Sequence, residues 1–349
     1  MDISTAYKDN NYKIHVAENI LKSQLSEYTA QYDNVYYLID EHVYGIYKNS
    51  KLSFIEAPLV VTGGESFKYA SPLMHTMEEL LAFGIKRNDL IVVIGGGATG
   101  DAGGFIASTI LRGVDYIHVP TTLLAHDSAI GGKTAINSKH GKNLIGAFYR
   151  PKAVIYDLDF LKSLPSSEVL SGFGEVFKHA MIHSPELTED LFQATKETID
   201  LKTLTPFIIK GIETKMTIVI EDEHEKGSRK FLNLGHTFGH AVEYNFKIPH
   251  GHAVMIGIIY QFIVANKVLN RDFDISHYFN YLVSLNYPLD IINEFEFETL
   301  YQLMLKDKKN DQQGIQMVLL DGIGNPVVKH IDKPTLLHAF TDFLTYFKK

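Results

Sequence analysis

The 349-residue sequence predicts an α/β fold followed by a mainly helical one, on three observations. Short β-rich runs alternate with a helical pattern through about residue 164. A dense glycine run follows the third of these runs. After Leu164-Pro165 the texture changes, and apolar residues recur at helical spacing. At about 100–200 residues per domain the length fits two domains, placed at 1–164 and 165–349 with a cleft between them.

The β-rich runs are Val35 to Ile39, Leu59 to Val61, Leu90 to Ile94, Tyr116 to Val119 and Val154 to Tyr156, each bounded by Asp, Gly or Pro. Leu73, Met77, Leu80 and Leu81, closed by Gly84, mark a helix between the second and third. Strands alternating with helices give a parallel, doubly wound sheet, a Rossmann-like domain with its ligand at the carboxyl ends of the strands. From Ser166 to about Lys308 the pattern is helical, with helix starts expected at Ser166-Ser167-Glu168 and Ser184-Pro185-Glu186. Ile315 to Leu320 and Val327-Val328, joined by Asp-Gly-Ile-Gly-Asn-Pro, suggest a hairpin, and a last helix starts near Lys333-Pro334.

Composition excludes several chemistries. Lys plus Arg is 33 and Asp plus Glu is 41, a net charge of −8, which argues against nucleic acid or an anionic membrane as the partner. With no cysteine there is no disulfide, thiolate zinc site or cysteine nucleophile. The N-terminus MDISTAYKDN lacks the apolar core of a signal peptide, and the apolar stretch Ala253 to Ala265 is interrupted by Gln261 and short of a bilayer span. A cytoplasmic protein is expected.

Leu90 to Ile94 runs into Gly95-Gly-Gly-Ala-Thr-Gly-Asp-Ala-Gly-Gly104 and then an apolar helix. Glycines bring the backbone close to a ligand, and a helix N-terminus offers N–H groups to a pyrophosphate. Asp101 stands inside this turn, where the usual dinucleotide fingerprint has no acid; Asp40 is a candidate for a ribose hydroxyl or an ordinary turn aspartate. His236 and His240 lie four apart on one helical face, His250-Gly-His252 follows, and Glu175 and Lys178 share a face of an earlier helix. Without cysteine, a divalent metal needs imidazole and carboxylate ligands, and two histidines with one glutamate leave a position open. Spacing alone leaves the choice of three open. Lys133 beside Gly-Gly, and Lys142-Asn143 after Gly141, supply donors to an anion; Lys215, Arg229 and Asp307-Lys308-Lys309-Asn310 add more.

These residues closely resemble the 3-dehydroquinate synthase family of the shikimate pathway, from Gly63-Gly-Glu65-Ser-Phe-Lys68 through GGGATGD, PTTLLA, IGGKT, GKNLIGAF, FLKSLP, GEVFKHA, NLGHTFGHAVE and HGHAV to DKKND. The resemblance implies a mainly α-helical metal-binding second domain and a homodimeric lyase using NAD and zinc or cobalt. Its small-molecule substrate is the sugar phosphate 3-deoxy-D-arabino-heptulosonate 7-phosphate; a related sugar-phosphate cyclase or a metal-dependent polyol dehydrogenase is the rival reading. It further implies that Glu175, His236 and His250 ligate the metal, with His240 outside the ligand set. By the same resemblance Asp40, Glu65, Lys68, Gly97, Asp101, Thr121, Thr122, Lys142 and Ser163 contact NAD. Lys133, Asn143, Lys308 and Arg112, the last from the other subunit, hold the substrate phosphate. Lys215 and Arg229 bind its carboxylate, and Asp127, Lys178 and Asn233 complete the site. The sequence departs from the family pattern in having one residue fewer before Asp127, and His252 where glutamate is common, which raises His252 as an alternative ligand.

Overall fold

The computed structural model describes residues 1–306 and 314–347. It divides into two compact units, Met1–Leu164 and Pro165–Lys349. In the first, a seven-stranded sheet runs in the order β1-β2-β9-β6-β5-β3-β4. Its strands are β1 (Asp2–Ser4), β2 (Lys13–Ala17), β3 (Val35–Asp40), β4 (Leu59–Val61), β5 (Leu90–Gly95), β6 (Asp115–Pro120) and β9 (Ala153–Asp157). Every neighbouring pair is parallel except β1 with β2. The unit's helices are α1 (Leu21–Thr29), α2 (Glu41–Tyr47), α3 (Ala70–Ala82), α4 (Gly97–Thr109) and α5 (Ala125–Ser128), with a 3-10 turn at Gly64–Lys68.

The sheet forms where the sequence is richest in β-branched residues. Central β5 is buried along its whole length, as a strand covered on both faces must be. Ile91 and Val93 pack with Ile106 and Leu80 on one face; Leu90, Val92 and Ile94 pack with Leu21 and Phe160 on the other. The predicted runs match β3, β4, β5, β6 and β9. Three features differ. β1 and β2 arise from a segment whose polar surroundings mask the three-residue run Ile14-His15-Val16. A hairpin, β7 (Lys133–Ser138) with β8 (Gly141–Phe148), stands where the glycine-rich segment read as a loop. Ser166 does not cap its helix; Pro165 precedes it with extended backbone, and no side chain bonds the first turn.

His118 of β6 is buried beneath α4, where a Cβ on Gly100 would lie 2.1 Å from its Cε1. Burial pushes this imidazole down to about 4 from 6.5. The folded protein therefore refuses a proton that the unfolded chain accepts. The resulting stability is present above about pH 6.5 and is lost as pH falls toward 4, by on the order of 3 kcal/mol. Denaturant titrations from pH 7 to pH 4 are expected to show this decline, and His118→Gln to flatten it; an unchanged slope would remove His118 as the cause.

The second unit contains α6 (Ser166–His183), α7 (Pro185–Thr195), α8 (Leu201–Glu221), α9 (His236–Phe246), α10 (His250–Leu269), α11 (Ile275–Ser284), α12 (Phe297–Leu305), α13 (Lys333–Phe347) and the hairpin β10 (Ile315–Leu320) with β11 (Pro326–Ile331). Ser184 caps α7 as expected, its hydroxyl accepting from Leu187 N–H with Pro185 in the first turn. α10 is 20 residues long with a mean hydropathy of 1.5, long and apolar enough to cross a membrane, although its strictly apolar run is shorter. Its apolar window is 78% buried against α6, α9, α11 and α13, which is how the core helix of a domain behaves.

Candidate active site

In the second unit, Glu175 of α6, His236 at the start of α9 and His250 at the start of α10 meet. Glu175 Oε1 lies 3.5 Å from His236 Nε2 and 3.4 Å from His250 Nε2. The donor atoms of His236, His240 and His250 all fall within 4.8 Å of one another. Glu175 is 1% exposed, and its Oε2 contacts Lys178 Nζ one turn along α6.

Each ring is oriented by its other nitrogen. His236 Nδ1 is 2.9 Å from the Leu234 carbonyl, which only accepts, so Nδ1 carries the hydrogen and Nε2 the lone pair. Burial, reinforced by the Lys178 charge, holds His236 well below the usual histidine range and keeps it neutral. His250 Nδ1 donates to Glu243 Oε2 at 2.8 Å. Burial opposes charge on His250, but hydrogen bonds to Glu175 and Glu243 and their negative charge outweigh it, raising the ring to about 10. Two imidazole Nε2 atoms and one carboxylate oxygen, each backed by a second polar group, fit a divalent cation. His240 lies close enough to the cluster to contribute as well. His252 does not join it; the ring is buried, edge-on to Tyr287 at 5.3 Å between centroids, and burial lowers its pKa. Sequence reading gave Glu243 no role, although its position seven residues after His236 puts it on the same helical face.

The same unit buries two cations, Lys215 of α8 and Arg229 in the adjoining 3-10 turn Ser228–Asn233. Arg229 is anchored by its guanidinium donating to the Glu223 carbonyl at 2.5 Å and its backbone N–H to Asp222 at 3.0 Å. Asn233 ends this turn and donates to Glu225 at 2.9 Å. Lys308 and its run lie outside the described residues.

In the first unit, the chain leaves β5 through Gly96 and enters α4, whose N-terminus has no side-chain cap. A Cβ at Gly97 would meet Ser128 Oγ at 2.7 Å, so the glycine run lets the turn close on α5. Asp40 at the end of β3 is buried; it accepts from His42 N–H at 2.9 Å and from the Thr99 hydroxyl at 3.0 Å, tying β3 to α4. Lys68 is buried and donates to Asp101 at 2.6 Å and to Asn143 Oδ1 at 2.5 Å. Glu65 accepts from Asn137 at 2.7 Å. Thr121 is buried and Thr122 half-buried after β6, and the Thr122 carbonyl accepts from Tyr156. Lys133, Lys142 and Asn143 on the β7–β8 hairpin, Arg112 after α4, and Ser163 are exposed, while Asp127 on α5 is half-buried.

A parallel sheet opening through a glycine turn onto an uncapped helix, with a second helical unit built around a carboxylate–histidine cluster, defines the class of nucleotide- and metal-dependent enzymes. The N-terminal 3-dehydroquinate synthase family model matches residues 58–171, and the C-terminal one residues 172–310. The 3-dehydroquinate synthases of Staphylococcus saprophyticus and Staphylococcus aureus are 56% and 54% identical to this sequence, each alignment covering all of both chains. The chain belongs to the 3-dehydroquinate synthase family. Among solved structures it is similar to 2-deoxy-scyllo-inosose synthase complexed with carbaglucose-6-phosphate, NAD+ and Co2+ (27% identity, TM-score 0.86, 98% and 100% of the two chains). The fold is also that of the 2-epi-5-epi-valiolone synthase of Streptomyces hygroscopicus with NAD+ and Zn2+ bound (20% identity, TM-score 0.85, 98% and 99% covered).

Proposed function

We propose that this chain converts 3-deoxy-D-arabino-heptulosonate 7-phosphate to 3-dehydroquinate and inorganic phosphate. The net reaction is redox-neutral, a transient oxidation, loss of phosphate, reduction and intramolecular aldol closure. The observation that carries the reading is the pair of buried cations, Lys215 and Arg229, in the same unit as the Glu175–His236–His250 cluster. An ammonium and a guanidinium buried in one unit are suited to hold a carboxylate by charge-assisted hydrogen bonds, and the substrate carries one. A cyclase acting on a neutral-headed sugar phosphate has no carboxylate for them to hold.

Bound zinc or cobalt supplies a Lewis acid at the reacting hydroxyl, and NAD supplies a hydride acceptor that is regenerated in each turnover. The chain's own residues position and stabilise charge. Glu175, His236 and His250 hold the metal, and Lys178 neutralises the far oxygen of Glu175. Lys215 and Arg229 clamp the carboxylate; Lys133, Asn143, Lys308 and the partner subunit's Arg112 hold the phosphate. Asp127, Lys178, Asn233 and His240 are the further catalytic residues. Asp40, Glu65, Lys68, Gly97, Asp101, Thr121, Thr122, Lys142 and Ser163 form the NAD site. The enzyme is cytoplasmic and acts as a homodimer; the exposed Leu144, Ile145 and Phe148 on β8 support the self-association.

The test is phosphate release with catalytic NAD+, with and without a chelator, while absorbance follows NADH. Release that needs metal and NAD+ without NADH build-up is the expected result. Accumulating NADH would make the chain a dehydrogenase, and absence of release with added zinc or cobalt would point to another cyclase. In the same assay Lys215→Met is expected to raise KM by about tenfold or more while metal content stays at the wild-type level; loss of metal would break the division of roles.

A further inference from the structure

Asn137 is absent from every role assigned above, yet it is buried at the junction of two groups of binding residues. It sits at the irregularity in the β7–β8 ladder, where pairing shifts register between Ile136 and Ser138. Such bulges re-aim side chains and occur beside active sites. Asn137 Oδ1 accepts the backbone N–H of Asn143 at 3.1 Å, and Nδ2 donates to Glu65 Oε2 at 2.7 Å. The first bond holds Asn143 at a φ of 54°, a left-handed conformation that needs support. Lys68, three residues beyond Glu65 on the same 3-10 turn, holds the Asn143 side chain by its Oδ1. The turn therefore grips the hairpin twice, through Asn137 and through Asn143.

We infer that Asn137 is a positioning residue that couples the nucleotide site to the substrate-phosphate site. It fixes Glu65 on one side and the backbone of Asn143 on the other, so that filling either site pre-orders the other. This rests on the reading under Proposed function, in which Glu65 contacts NAD and Asn143 the phosphate.

Coupling is reciprocal and measurable: in the metal-loaded wild type, saturating inorganic phosphate is expected to tighten NAD+ binding about fivefold or more. Asn137→Ala is expected to bring that ratio close to one. Asn137→Asp keeps the acceptor for Asn143 but sets two carboxylates against each other, so NAD+ affinity is expected to fall by about tenfold or more. Adding Glu65→Gln to Asn137→Asp restores a donor–acceptor pair with the roles exchanged, and NAD+ affinity is expected to return to that of Glu65→Gln alone. A purely structural asparagine lowers Tm without moving the phosphate–NAD+ ratio, and the exchanged pair then brings no recovery. If Asn137→Ala fails to fold, the Asp and Gln pair carries the test. A wild-type ratio of one, an unchanged ratio in Asn137→Ala, or no recovery in the double variant overturns the inference while leaving phosphate release intact. A wild type that neither binds NAD+ nor releases phosphate overturns the functional reading itself.

Discussion

Glu175→Gln is expected to cut turnover by about a thousandfold or more and to empty the metal site. Glu175 is 1% exposed, and its two oxygens are divided between Nε2 of two histidines and Nζ of Lys178. The amide removes the charge from both sides at once. Lys178, itself 1% exposed, loses the carboxylate that its Nζ contacts one turn away, a change that costs about 3–5 kcal/mol. Loss of activity alone would therefore be ambiguous between a lost ligand and a weakened fold. Glu175→Gln with Lys178→Met separates the two: the neutral pair is expected to regain most of the lost stability in thermal unfolding, yet still to bind no metal by atomic absorption and to release no phosphate. A Glu175→Gln enzyme that keeps its metal and a tenth of its turnover would remove the carboxylate from the ligand set.

Five of the sheet's seven strands, β3, β4, β5, β6 and β9, were legible because they are continuous apolar runs punctuated by Asp, Gly and Pro, and β5 through α4 because a glycine run stood between two such patterns. The β7–β8 hairpin was not. Its residues Lys133-Thr-Ala-Ile-Asn-Ser and Gly141-Lys-Asn-Leu-Ile-Gly-Ala-Phe mix glycines and polar residues with apolar ones, β8 is mostly exposed, and a bulge breaks the alternation a strand would show. The candidate metal ligands divide the same way. Spacing put His236 and His240 on one face and suggested them as a pair, yet His236 meets Glu175 and His250, which come from two other helices. Only tertiary packing makes that convergence, so residue spacing left the choice open and the family resemblance had to make it. Asn137 escaped for a related reason: a buried asparagine on a strand signals nothing until its two partners, 72 and 6 residues away, are in place.

That convergence depends on how closely the helices approach, which leads to the second large effect. Gly251, next to His250 on α10, lies against α6 backbone to backbone: a Cβ there would be 1.7 Å from the Ser171 carbonyl oxygen. Gly174, next to Glu175 on α6, would meet the Gly251 carbonyl oxygen at 2.5 Å in the same way. Farther along α10, Gly257 would meet the Gly235 carbonyl at 1.9 Å, just before His236. Each candidate ligand thus has a glycine beside it that sets the distance between its helix and the next. Backbone atoms cannot rotate aside as a side chain does, so Gly251→Ala has to push α6 and α10 apart. The expected cost is about 3 kcal/mol or more, a fall in Tm on the order of 10 °C. Zinc affinity is expected to drop by about tenfold or more in the fraction that stays folded, because Glu175 and His250 separate with their helices. Gly45→Ala is the control: it replaces a glycine inside α2 with nothing within 4 Å of the new methyl, and is expected to raise stability by about 0.5–1 kcal/mol. Differential scanning calorimetry with and without zinc reads both. A Gly251→Ala protein with the wild-type Tm and undiminished zinc affinity would mean that something other than this contact sets the spacing of the two helices.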